Sequence, residues 1–263
     1  MASSENLESG PSFGTTEDAL FGGSMVLFQP RRGTGYRTNV DSLLLAWFAA
    51  GSAVPCPGSP PSTARRTRPP ARVAFDLGSG VGSVGMALLH LDAAQRVVFV
   101  EIDEVAASTA YRNLQANRWA DRGQVVRGDV LEVARLHLGE ADLVVCNPPY
   151  GSPGQGQARS SQPGARVGDL GRFVAGARQA AGHRARACFV YPAAELGALL
   201  ARLGAEGLHC KRARFVHATP GAPARIVLVE ARAGRPGGLQ VMPPLVERDG
   251  GEYTPELQLL LGR

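Results

Sequence analysis

The tetrapeptide Asn147-Pro148-Pro149-Tyr150 directly follows the apolar run ADLVVC, 141–146. An asparagine offers a side-chain carbonyl as acceptor, and a proline, with no N–H and a fixed φ, can hold its own C=O rigidly. Two convergent acceptors suit a planar amino group with two N–H donors. Tyr150 adds an aromatic face on which a heterocycle can stack, worth roughly 1–3 kcal/mol per base. An amine conjugated to a purine ring is a weak nucleophile because its lone pair is delocalised. Accepting both of its hydrogens draws the nitrogen toward sp³ and localises that pair. Such activation is positional and electrostatic, needs no strong base, and demands a very good electrophile such as a sulfonium methyl. The structural alternative is a tight turn after a strand.

A second constellation lies upstream in AFDLGSGVGSVG, 74–85. Strand residues run to Asp76, and Gly78, Gly80 and Gly82 form a loop that opens a helix. Glycine there lets the backbone turn tightly and approach a ligand with no Cβ in the way. The spacing alone is ambiguous, since Gly80, Gly82 and Gly85 also satisfy the dinucleotide-binding fingerprint. Glu101, which ends RVVFVE (96–101), would contact ribose hydroxyls in either case. Loop and acid together point to an adenosine-containing ligand. Asp129, in VVRGD, falls where a third strand should end. It can accept from the amine of an adenine or cap the helix that starts VLEVARL, and both readings stay open.

The elements that must position these residues alternate. Short, β-branched-rich apolar runs at 72–77, 96–101, 141–146, 186–191 and 225–230 read as strands buried on both faces. Helical patterns fall between them at 83–91 and 104–119, around 169–182, and at 193–204. This predicts an α/β fold with an open, doubly wound, mostly parallel sheet, its ligand crevice at the C-terminal ends of the strands. Upstream, Asn39 is expected to cap an apolar helix that Gly51 ends. Residues 1–22 read as a disordered polar tail and 23–263 as a single domain. Within that domain, 55–72 holds six prolines and four arginines and reads as an unstructured insertion.

Charge is unevenly spread. The net charge is +5, yet residues 151–225 carry ten Arg, Lys211 and only three acids. Residues 1–150 are net −2 and 226–263 net −1. A surplus confined to one segment suggests a polyanion such as RNA, with Arg159, Arg166 and Arg172 after the motif and a Lys211, Arg212 and Arg214 cluster beyond. The alternative is a coding bias, since 27 of the 28 basic residues are Arg; the first 150 residues, however, share the bias without the surplus. The four cysteines are far apart, so neither a disulfide framework nor a metal site is expected, and Cys146 and Cys188 read as core. None of the five histidines is placed like a general base. No apolar stretch approaches the roughly twenty residues of a membrane span. The polar N-terminus carries no secretion pattern, so the expected address is the cytoplasm.

These residues resemble the Rossmann-like S-adenosylmethionine-dependent methyltransferases, whose amino-methylating members share D/N/S-P-P-Y/F/W. More closely, the chain is similar to the bacterial tRNA(Val) adenine-N6 methyltransferase family. The likeness includes Gln29, GYRTNVDSLLLA (35–46), DLGSGVG (76–82), VEID (100–103), GD (128–129) and NPPY (147–150). It continues through VHATPGAPARIVLVEARAG (216–234) and PPLVERDGGEYTPELQLLL (243–261), the more family-specific stretches.

The resemblance implies S-adenosyl-L-methionine as cofactor. Asp76, Gly78, Gly80 and Gly82 would line its methionine part and Glu101 would hold its ribose. Ile102 and Val130 would flank its adenine, and Asp129 would bind the adenine amine. Asn147, Pro148, Pro149 and Tyr150 would hold the target adenine, with Asn147 also bordering the cofactor. In the family that base lies beside the anticodon of a valine tRNA. Tyr36, Asn39 and Asp41 belong to a segment expected to cover the cofactor, with a helix cap and a buried hydroxyl as the alternative. Two departures stand out: the 55–72 insertion, and a Gly-, Ser- and Gln-rich stretch at 151–173 where the family tends to carry a basic loop. The target base therefore stays open. Rivals are methylation of a glutamine amide on a peptide-release factor, of a ribosomal RNA base, or a non-catalytic RNA-binding role. A nicotinamide oxidoreductase would leave NPPY unexplained. The default oligomeric state is a monomer.

Overall fold

The computed structural model describes residues 14–31, 37–51, 68–136, 138–149 and 170–262. It begins with an antiparallel hairpin of β1 (Thr15–Leu20) and β2 (Met25–Pro30), followed by helix α1 (Val40–Ala50). β3 (Ala71–Leu77), α2 (Ser83–His90), β4 (Ala94–Glu101), α3 (Glu104–Ala116), β5 (Gly123–Arg127) and β6 (Ala141–Cys146) then alternate. Next come α4 (Leu170–Ala180), β7 (Ala181–Pro192), α5 (Leu196–Ala205), β8 (Leu208–His217) and β9 (Ala224–Ala233). Short strands β10 (Gln240–Val241) and β11 (Leu245–Val246) follow, then a small hairpin of β12 (Arg248–Asp249) and β13 (Glu252–Tyr253), and helix α6 (Pro255–Leu260).

Nine strands form one sheet in the order β10-β8-β9-β7-β6-β3-β4-β5, with β11 also beside β8. β3 to β7 are parallel, and β9 runs antiparallel between β7 and β8. The doubly wound, mostly parallel α/β sheet is as predicted. Alternate strand residues enter opposite cores. Ala74, Phe99, Val145 and Val190 pack with α1, α2 and α6, whereas Phe75, Val100, Val144 and Phe189 pack with α4 and α5. Burial on both faces is why these strands read as unbroken apolar runs. The strand order reverses between β3 and β6, so the crevice opens at their C-terminal ends.

Three expectations need correction. Residues 15–22, assigned to a polar tail, form β1 and the turn into β2; residues 1–13 lie outside the described residues. The hairpin is held by two asparagines of α3. Asn113 Oδ1 accepts from Phe28 N (2.7 Å) and its Nδ2 donates to Phe28 O (3.0 Å) and Val81 O (2.9 Å). Asn117 does the same for Val26, at 2.9 and 2.7 Å. Four helical residues advance about 6 Å and two strand residues about 6.6 Å, so the two amides match β2 much as a neighbouring strand would.

The second correction is β8, whose sequence LHCKRARFVH interleaves charge and was not among the expected strands. Its cations have partners within the chain: Arg212 pairs with Glu230 (3.0 Å), Arg214 with Glu256 (2.6 Å), and Lys211 donates to Arg235 O and Gly237 O. The cluster proposed to face RNA is thus engaged internally. The third concerns 55–72. Arg68 reaches buried Glu230 at 2.7 Å and Ala71 opens β3, so 68–72 are ordered, and 52–67 lie outside the described residues. Helix α1 follows expectation: Asn39 Oδ1 accepts from Asp41 N (3.1 Å), and Gly51 ends the helix at φ +67°.

Replacing Asn113 by Ala leaves two carbonyls and one N–H unpaired beneath the hairpin. Asn113→Ala is expected to cost about 3 kcal/mol in urea unfolding; an unchanged midpoint would contradict this docking.

Candidate functional site

After β3 the chain turns through Gly78, Gly80 and Gly82, all at positive φ. At Gly80 (φ +55°) a Cβ would meet nothing within 4 Å, so the demand for glycine is conformational and the space beside it is open. At Gly78 a Cβ would lie 2.6 Å from the ring of Phe173, which α4 lays against the loop. Asp76 Oδ2 accepts from Gly85 N (2.8 Å) in the first turn of α2, serving a helix whose N-cap, Gly82, has no side chain to do so. Burial pushes the Asp76 carboxyl up to about 7; the Gly85 N–H opposes the rise and the charge of Glu101 adds to it. Glu101 accepts from Gly80 N (2.7 Å) and Asp103 N (2.9 Å), and burial raises its carboxyl as well. Ser79 Oγ is buried and has no hydrogen-bond partner among the described residues. Ile102, next to Glu101, is 39% exposed. Two carboxylates, an unpaired hydroxyl and open space at Gly80 fit an adenosine-bearing ligand with a cationic end.

At the end of β5, Asp129 takes the capping role: its Oδ1 accepts from Leu131 N (2.9 Å) at the start of a 3-10 turn that includes buried Val130. Its Oδ2 pairs with Arg172 of α4. Arg172, expected to face RNA, is therefore paired with Asp129 at the end of β5. The sequence carries no signal for that pair, which depends on how α4 packs against the 3-10 turn.

Asn147 leaves β6 one position after Cys146, which stands in register with Leu77, so Asn147 follows β6 where Gly78 follows β3. Its Nδ2 donates to Ser42 Oγ of α1 at 3.1 Å. Its Oδ1 is buried and has no hydrogen-bond partner among the described residues. Pro148 is buried and Pro149 exposed, while Tyr150 and Tyr36 lie outside the described residues. The hairpin braces this region, since Gln29 Oε1 accepts from Thr38 N (2.8 Å) and the Thr38 hydroxyl bonds to that of Ser83 at the start of α2. Asp41 is buried and paired with Arg225 (2.6 Å), which also grips Glu247. It lines a cavity of about 250 Å³ with Arg225, Glu247 and Tyr253. The structure thus gathers Asp76, Gly78, Gly80, Gly82, Glu101 and Ile102 at one rim with Asn147 beside them, and ties Asp41 to the C-terminal segment. Cys146 is an inert core thiol, pushed well above its ordinary range by burial.

The methyltransferase small domain family matches residues 64–162, a span that holds the glycine loop, Glu101, Asp129 and Asn147. A tRNA1(Val) (adenine(37)-N6)-methyltransferase of Serratia proteamaculans is 39% identical over 80 residues, 30% of this chain and 31% of that protein. One from Vibrio vulnificus is 31% identical over 164 residues, 59% of this chain and 66% of that protein. The match therefore spans about a third of the first relative's length and just under two thirds of the second's. A solved structure from Agrobacterium tumefaciens, described as a predicted O-methyltransferase, has a TM-score of 0.63 at 22% identity. It covers 85% of this chain and 96% of that one, and the two share the Rossmann-like α/β fold.

Asp76 ionises near neutrality, and a cationic ligand beside it favours the carboxylate. Below pH 7 the proton must leave before that attraction exists. Affinity for S-adenosylmethionine is expected to strengthen about tenfold from pH 6 to pH 8, measured by calorimetry, and Asp76→Asn should flatten the dependence. The same pH response in both proteins would remove Asp76 from the ligand's cationic end.

Proposed function

We propose that the chain transfers a methyl group from S-adenosylmethionine to the exocyclic N6 of an adenine in tRNA. The observation that carries this is Asn147 Oδ1, a buried acceptor without a partner among the described residues, beside the glycine loop at the switch point. Leaving such a group unpaired costs about 1–3 kcal/mol, which an incoming amine donor would relieve. Asn147 Oδ1 and the Pro148 carbonyl would each accept one hydrogen of the adenine amine, localising the nitrogen lone pair, while Tyr150 stacks on the ring. Asp76 and Glu101 would hold the cationic and ribose parts of the cofactor. When bound, S-adenosylmethionine supplies a sulfonium-activated methyl, the C–S electron pair staying on sulfur as the N–C bond forms. The proton displaced from nitrogen leaves to water. The relatives' names point to tRNA adenine, and a base in folded RNA must be unstacked to reach Asn147. Arg172, Lys211, Arg212 and Arg214 already hold partners within the chain. A tRNA substrate agrees with a cytoplasmic address.

The test is transfer of labelled methyl with tRNA, ribosomal RNA and release factor offered in parallel, the product being digested and weighed. N6-methyladenosine in tRNA is expected. Label on a release-factor glutamine would keep the amine-accepting site and overturn the RNA substrate. Asn147→Ala should lower transfer by about 100-fold or more while leaving the cofactor Kd unchanged. Weakened cofactor binding with normal turnover at saturation would contradict the role given to Asn147.

A further inference from the structure

We propose that Ser42 is the positioning residue for the Asn147 amide, its hydroxyl accepting from Nδ2 and so turning Oδ1 toward the substrate amine. The proposal rests on Asn147 being the amine acceptor. An asparagine amide is nearly symmetric in shape but not in chemistry, since a half-turn about its last torsion replaces an acceptor with two donors. That torsion is broad and roughly two-fold, so the register of β6 alone does not choose between the two ends. With the donors facing the site, the target amine would meet another amine, and its lone pair would stay delocalised.

The Ser42 hydroxyl accepts from Nδ2, which leaves Oδ1 as the end without a partner among the described residues. Ser42 is the third residue of α1, 2% exposed, and the eight residues after it, LLLAWFAA, are all apolar. A hydroxyl buried there needs a partner, and Asn147 Nδ2 at 3.1 Å is one. Its own placement is fixed by three contacts on the preceding residues. Asn39 caps the helix, Asp41 pairs with Arg225 at 2.6 Å, and the Thr38 hydroxyl bonds to Ser83. Ser42 therefore links Asn147 to the head of α2 through Thr38 and to the C-terminal segment through Asp41.

The experiment uses the full chain with Ser42→Ala, Ser42→Thr, Asn147→Ala and the Ser42→Ala/Asn147→Ala pair, assayed at excess enzyme so that slow transfer to tRNA is measurable. Ser42→Ala should lower kcat about 10- to 100-fold, with cofactor Kd unchanged, and Ser42→Thr should restore most of the rate. In the Asn147→Ala background, Ser42→Ala should have no further effect. Should alanine disturb packing, Ser42→Cys keeps the volume with a poor acceptor and should show the same kcat loss. A wild-type kcat in Ser42→Ala beside a disabled Asn147→Ala would overturn the positioning role alone. An equal loss in both backgrounds would also overturn it, because Ser42 would then act elsewhere. A wild-type kcat in Asn147→Ala would instead overturn the acceptor on which the proposal rests.

Discussion

The parallel register of β3 and β6, with Leu77 opposite Cys146, brings the glycine loop and Asn147 side by side where the strand order reverses. A slip of one residue would send Phe75 and Val144 to the wrong core and Asp76 away from α2. The register is therefore fixed by two-sided burial, with Phe75, Val144 and Phe189 all fully buried. Asp76, on the opposite face of β3 beside α2, is a buried polar residue in this apolar strand. Its carboxylate is stabilised by the Gly85 N–H at the head of α2 and destabilised by burial and by Glu101, which leaves it poised near neutrality beside the loop.

Around this sheet end, polar side chains join segments far apart in sequence. Asn113 touches both β2 and Val81 of the glycine loop, so the hairpin and the loop share one anchor. Gln29 carries the connection on to Thr38, Thr38 to Ser83, and Ser42 to Asn147. The Arg225 bridge between Asp41 and Glu247 attaches the C-terminal segment to the same helix end. The start of α1 and the residues just before it are thus bonded both to the head of α2 and to Asn147.

Much of this was legible locally. The bounds of β6, the Asn39 cap, the Gly51 stop and the placement of Asp76, Glu101 and Asn147 at strand ends follow from apolar runs and capping chemistry within a few residues. What was hidden depends on distant partners. The stretch 15–22 looks like a polar tail because its support, Asn113 and Asn117, lies about 90 residues away. β8 looks too charged for a strand because its counterions, Glu230 and Glu256, belong to other elements. Ser42 reads as one more residue of an apolar helix until β6 is placed beside it. Asp129 stayed divided between cap and ligand in the sequence, and the Leu131 N–H shows the cap.

The most direct measurement is a crystal structure of the protein with a non-reactive cofactor analogue and an adenine-containing RNA. The adenine amino nitrogen should lie about 2.7–3.2 Å from Asn147 Oδ1, with Nδ2 still on Ser42 and the ring between the Asn147 segment and Tyr150. An amino nitrogen held elsewhere, or an Asn147 amide reversed with Oδ1 on Ser42, would contradict an amine-activating site built on this side chain.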